Sequence, residues 1–342
     1  RPLTFHIVGP WTRDESGGAA PAASVRVIGW ILIILALALM SGGVFYARRN
    51  LRLGRGDRRG ALRVMLVALS ASMLGWVLSE HHVATPWEFA LFITAFSTSL
   101  YFTGVAGVFY IALEPFVRRR SPQMLVSWTR VLLGSWRDPL VGRDVLIGCA
   151  AAVAAACLSR LETTVPSWFG YAEGPLVASS IDNLLGPLSF VNALLQTFGG
   201  PALTFGLVGL FMLFFLQMIL RSEWAALVVW VAVQTILGLT IAQSNNGASG
   251  SPVVTSGPMA IVGPIAVLIS LLFYFVLKRF GLVAFMATLF VLGMFTTFPM
   301  TFQTSAWYAG YGYTALAVVG ATALYGFRTS LGGRPLVVGA MD

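Results

Sequence analysis

EPFVRRRSPQMLVSWTRVLLGSWRDPLVGRD, residues 114–144, parts two long apolar regions and carries six arginines: Arg118, Arg119, Arg120, Arg130, Arg137 and Arg143. Its centre has helical spacing. Met124, Leu125, Trp128, Val131, Leu132 and Trp136 fall on one helical face, and Gln123, Ser127, Arg130, Gly134 and Arg137 on the other. The pattern predicts a basic amphipathic helix near 122–137 that lies on a membrane surface, with Trp128 and Trp136 at headgroup depth and Arg130 and Arg137 turned to water and phosphate.

The flanking regions set the class. The chain is 57% hydrophobic and 10% charged, with a mean hydropathy of +0.81, whereas soluble domains are about 25% charged. Apolar runs recur along the whole length, and a hydrocarbon core about 30 Å thick needs roughly 20 such residues per helix. The runs are continuous rather than alternating, which excludes a β-barrel. The expected fold is an all-α polytopic bundle of about nine spans, near 25–47, 61–79, 88–113, 145–160, 203–220, 224–242, 259–277, 282–299 and 309–327. The fourth is rich in small residues and is expected to pack closely inside the bundle. Residues 1–24 read as the end of an extracytoplasmic segment and 328–342 as a cytoplasmic tail. The stretch 179–196 reads as an interfacial or re-entrant helix, and 243–258 as a flexible loop.

Charge placement predicts the orientation. The net charge is +9, and every basic residue except Lys278 is arginine. These residues sit between spans, so they signal topology and not nucleic-acid binding. With the N-terminus outside and the C-terminus inside, eighteen of the 22 basic residues fall inside. Only Arg1, Arg13, Arg26 and Arg160 remain outside. The loop RRNLRLGRGDRRG at 48–60 holds Arg48, Arg49, Arg58 and Arg59. Its glycines miss the dinucleotide fingerprint by one residue and follow no strand. Anionic lipid headgroups are the expected partner of this loop and of the central arginines, since each basic residue near such a surface contributes about 1 kcal/mol.

Residues that could carry chemistry are few. Acidic groups gather at span ends as Glu80, Glu88, Glu114, Asp144 and Glu223, with no row of acids at mid-span for a proton or cation path. Gln234, Thr296 and Thr297 are expected to bond between helices. Glu80, His81 and His82 form the densest set of potential ligands, but adjacent histidines on a helix diverge by about 100° and no HExxH or HxxEH spacing occurs. A polar cap is the expected role of this set. Cys149 and Cys157 sit about 12 Å apart on one helix, too far for a disulfide, and read as a buried pair. No GxSxG elbow is present, and the single lysine, Lys278, leaves no kinase lysine. No catalytic residue, cofactor or metal is expected in this chain.

Several blocks carry a resemblance: HIVGPWTR (6–13), ARRNLRLGRGDRRGALR (47–63), HHV (81–83), the segment 110–148, and SAWYAGYGYTALAVVGATALYGFRTSLGGRPL (305–336). Together they resemble the C-terminal multi-pass region of a group of bacterial transmembrane serine/threonine protein kinases. The resemblance implies a bacterial inner-membrane protein acting as anchor and sensor in signal transduction. It also implies a covalently linked kinase domain upstream of Arg1, which would bring ATP and Mg. A further span and an outer domain would then precede Trp11, with HIVGPWTR as that domain's last strand, so Arg1 is expected to be a cut through a longer polypeptide. The competing expectation is a free-standing permease, although no internal repeat is evident.

Overall fold

The computed structural model describes residues 23–79, 82, 85–171, 181–247 and 259–333. All regular structure among them is helical: α1 Ala23–Arg52, α2 Arg58–Ser79, α3 Pro86–Arg120, α4 Val126–Leu132, α5 Pro139–Trp168, α6 Pro187–Thr197, α7 Phe205–Leu220, α8 Glu223–Gly247, α9 Met259–Phe280, α10 Leu282–Thr297 and α11 Ala309–Ser330. Six helical stretches among the described residues are long and apolar enough to cross a membrane, and two shorter apolar helices accompany them. The chain divides into two units, Arg1–Ser41 and Gly42–Asp342, and α1 runs from the first into the second.

Several helices outrun the apolar windows that predict them. α3 has 35 residues and α5 has 30. At 1.5 Å per residue they measure about 52 and 45 Å, well beyond a hydrocarbon core. Hydropathy counts only the apolar part of a helix, whereas its ends are set by local caps. Thus α3 and α5 both begin with proline just inside the first turn, where its missing N–H costs nothing.

α5 is the packing centre of the second unit and touches α9, α10 and α11. Its small residues make this possible. A Cβ added at Gly142 would fall 2.4 Å from the Ser330 amide nitrogen, and one at Gly148 would fall 2.6 Å from the Ala284 carbonyl. Ala151, Ala152 and Ala155 are buried beside them. The small-residue reading of the fourth span therefore holds. The two cysteines part ways, however: Cys149 is buried and Cys157 exposed. Eight residues apart on a helix means a rotation of about 80°, enough to turn one thiol out of the core.

Two loop expectations are corrected. The stretch at 179–196 is no separate surface helix. α6 continues through a π-helical turn, Phe198–Thr204, into α7, so Pro187–Leu220 is one helical run. Pro201 has no amide hydrogen, and a π turn is one way a helix accommodates the missing bond. Phe190 and Ala193 of α6 pack with Met294, Phe298 and Ala315, so this segment joins the core. Residues 243–247 of the predicted flexible loop belong instead to α8, which runs to Gly247; residues 248–258 lie outside the described residues, as do 1–22 and 334–342 of the predicted terminal segments.

Candidate functional site

The arginine-rich stretches converge at one end of the Gly42–Asp342 unit, built around two tight turns. In the first, Gly54 adopts φ +65°. Its amide donates to the Leu51 carbonyl at 3.2 Å and that of Arg55 donates to the Asn50 carbonyl at 2.9 Å. This double bond pattern around a left-handed residue stops α1. Asp57 then caps α2, with one carboxylate oxygen accepting from the Gly60 amide at 2.9 Å. The other accepts from the Tyr110 hydroxyl at 3.1 Å. The Asn50 side-chain amide reaches the Ile111 and Ala112 carbonyls of α3 at 2.9 and 3.1 Å. A Cβ at Gly60 would fall 2.4 Å from the Tyr110 hydroxyl oxygen. The glycine pattern that misses the nucleotide fingerprint thus has a structural account: one glycine stops a helix and another admits Tyr110.

The second turn repeats the device. α4 covers only Val126–Leu132, preceded by a 3-10 turn at Pro122–Met124. Gly134 takes φ +84°, with its amide donating to the Val131 carbonyl and that of Ser135 to the Arg130 carbonyl. The amphipathic helix predicted over 122–137 is therefore cut short by the glycine inside its own pattern. Asp138 caps α5, accepting from the Leu140 amide at 2.9 Å, and pairs with Arg130. Slight burial works to raise the Asp138 pKa, but Arg130 and the Leu140 amide outweigh it and hold this carboxyl below the usual range.

Two buried carboxylates underpin the turns. Asp144 is 1% exposed; it accepts from the Ser127 hydroxyl and from Arg143 at 2.8 Å. Glu114 is 5% exposed; it pairs with Arg118 at 2.6 Å and receives the Asp57 amide at 3.4 Å. Buried carboxylates persist only with such charged or donor partners. The face assignment is corrected accordingly. Ser127, placed on the solvent face, is buried because Asp144 holds it. Trp128 is 7% exposed and packs inward, while Trp136 is 57% exposed.

The basic residues separate into two groups. Arg63, Arg118, Arg130 and Arg143 are structural: Arg63 donates to the Leu132 carbonyl at 2.6 Å, and the others pair with acids. Arg48, Arg49, Arg52, Arg55, Arg58, Arg59, Arg119, Arg120 and Arg137 are exposed, and their guanidinium groups have no hydrogen-bond or ion-pair partner among the described residues. Arg119 and Arg120 lie in the last turn of α3, where cations suit the helix dipole. The same end gathers the remaining loops. Gly281 sits under the Met124 carbonyl, Gly142 against the last turn of α11, and Lys278 pairs with Glu223 at 3.2 Å. Arg160, by contrast, lies far along α5 from these turns.

At the other end of α2, Glu80 and His81 lie outside the described residues. His82 pairs with Glu88, its other ring nitrogen lies 3.1 Å from the Val77 carbonyl, and Trp76 meets its ring edge-on at 4.9 Å. Among the described residues no three His, Cys, Asp or Glu side chains gather as a metal site. The inter-helix role expected of Thr296 is not seen: its hydroxyl bonds back to the Leu292 carbonyl of its own helix at 3.2 Å. Thr235 and Ser270 instead form such a link, at 3.0 Å. Sequence reasoning missed the Asp57–Tyr110 and Ser127–Asp144 bonds, whose partners lie 53 and 17 residues apart; the place of Asp144 at a span end was the only signal, and Asp57 carried none. No family model, curated protein or solved structure matches this chain.

Proposed function

We propose that this chain is a membrane anchor and sensor module whose arginine-rich end lies at the cytoplasmic face of a bacterial inner membrane and binds anionic lipid headgroups. The observation that carries the reading is the group of exposed, unpartnered arginines on turns fixed from below by Asp57, Glu114 and Asp144. Fixed turns hold those cations at one level, and each contributes about 1 kcal/mol against an anionic surface. In this reading α1, α2, α3, α5 and α7 through α11 cross the bilayer, with the N-terminus outside and the C-terminus inside. Trp136 and the free arginines supply the contact, while Arg118 and Arg130 act as struts. The kinase resemblance extends the proposal to a serine/threonine kinase domain joined upstream of Arg1, with its own ATP and Mg, for which the same basic end is a docking surface. Reading the gene upstream of the Arg1 codon tests that extension: a kinase domain followed by one more span is expected, and an upstream frame without a kinase would overturn it.

A further inference from the structure

The end of α2 remote from the arginine-rich turns is tied to the start of α3 through His82. Its Nδ1 pairs with the Glu88 carboxylate, and its Nε2 lies 3.1 Å from the Val77 carbonyl in the last turn of α2. Trp76 stands edge-on to the imidazole at 4.9 Å and to Phe92 of α3 at 5.7 Å. The link sits beside a groove of about 430 Å³ between α2, α3 and α6, where Gly75 lets Asn192 lie over α2. Ser79 and Leu91 line that groove and are each three residues from the pair. The His82 and Glu88 side chains are 38% and 25% exposed, so protons from water reach them.

Both contacts require a proton on the ring. A backbone carbonyl only accepts, so the Val77 contact needs a hydrogen on Nε2. An ionised carboxylate also only accepts, so Glu88 needs a hydrogen on Nδ1. A neutral imidazole carries one hydrogen and would set a lone pair against one of these two oxygens. Protonating Glu88 instead is opposed by its place in the first turn of α3, where the helix dipole favours an anion. The geometry therefore calls for imidazolium against carboxylate, and the opposite charge favours the protonated ring. Few other charges bear on the pair. Beyond Arg63, α2 carries no charged side chain; α3 has none between Glu88 and Glu114, and α6, packed on α2, has none. Glu80 and His81 adjoin His82 in sequence and lie outside the described residues.

We infer that His82 is a proton-sensing site: protonated, it clasps α2 to α3 beside the groove, and deprotonated, it turns a lone pair to Glu88 and releases α3. The sign follows from the raised affinity for the proton. The clasp is complete below the ordinary histidine value of about 6.5 and is lost as pH rises through the higher value of the folded chain. Only the side of the membrane that is sensed, the outer one, rests on the orientation proposed above. The test uses the full chain in phosphatidylcholine nanodiscs with 15N-labelled histidine rings, the His82 signals being assigned by their loss in His82→Gln. His82 should titrate with a midpoint of about pH 7, above the free-histidine value, and Glu88→Gln should return it to about 6.5. Hydrogen exchange over 85–92, corrected for its intrinsic pH dependence, should quicken about threefold across the same titration in the native chain and show no step in Glu88→Gln. A native midpoint at or below 6.5 overturns the proposal without recourse to any variant. So does a midpoint unmoved by Glu88→Gln, or exchange with no pH step in the native chain. None of these outcomes bears on retention of anionic lipid, so failure here is distinct from failure of the lipid reading.

Discussion

The two turns at the arginine-rich end are made alike and supported differently. Each stops a helix at a left-handed glycine, Gly54 or Gly134, and restarts the chain at a capping aspartate, Asp57 or Asp138. In the first turn the aspartate itself reaches down to Tyr110 of α3. In the second the aspartate pairs outward with Arg130, and the downward tie falls to Ser127 and the buried Asp144. In the first turn one residue, Asp57, thus both caps α2 and ties it to α3. The second separates capping from anchoring and rests on a third support, Gly281 beneath Met124. The same local grammar can serve a short link or a longer platform, depending on where the buried acid sits.

This difference has measurable consequences, best read as unfolding midpoints of the purified chain in denaturing detergent. Gly281→Ala should have the greatest effect, about 3 kcal/mol of destabilisation: its φ of +91° disfavours a side chain, and a Cβ would fall 2.5 Å from the Met124 carbonyl. The corresponding change under the first turn, Gly56→Ala, meets side chains and no backbone, Ile111 at 3.2 Å and Leu51 at 3.4 Å, and should stay below about 1 kcal/mol. Next comes Ser127→Ala, which leaves the buried Asp144 with Arg143 alone and should cost about 2 kcal/mol. Tyr110→Phe should cost about half that, because Asp57 keeps its Gly60 partner. A larger loss from Tyr110→Phe would reverse the ranking of the two supports.

Gly54→Ala and Gly134→Ala should match one another at about 1 kcal/mol, since neither added Cβ meets another atom within 4 Å. The least effect is expected from pH. The Asp138 carboxyl is held below its usual range by Arg130 and Leu140, so its contribution is complete above the ordinary aspartate value of about 4 and is lost as pH falls through its depressed value. Asp138→Asn should remove that acid-limb dependence and lower neutral-pH stability by the same small amount, about 0.5 kcal/mol or less, because asparagine still caps a helix and a partly exposed pair contributes little.

The all-helical class and the presence of helices apolar enough to cross a membrane were legible from the apolar runs, and each of the nine predicted segments lies within or nearly within a helix. Helix lengths were not legible, because α3 and α5 continue into charged sequence where caps and not hydropathy decide the end. Gly134 shows a signal present but outweighed: an apolar period ran across it, yet a left-handed stop ended the helix there. Ser127 shows the limit of a helical wheel. Its polar face pointed to solvent until the distant Asp144 supplied a buried partner. The groove was invisible for the same reason, as Gly75 and Asn192 are brought together by helix packing and not by sequence proximity.

The central claim is that the free arginines, and not the struts, engage anionic lipid. The decisive measurement is the ratio of phosphatidylglycerol to phosphatidylcholine retained by the full chain extracted from mixed vesicles. It is compared between the native chain and one with Arg48, Arg49, Arg58, Arg59, Arg119 and Arg120 changed to Gln, at low and high salt. Enrichment of the anionic lipid in the native chain, reduced by salt and lost in the six-fold variant while the fold is retained, is the predicted result. An equal ratio in both proteins, insensitive to salt, would contradict it.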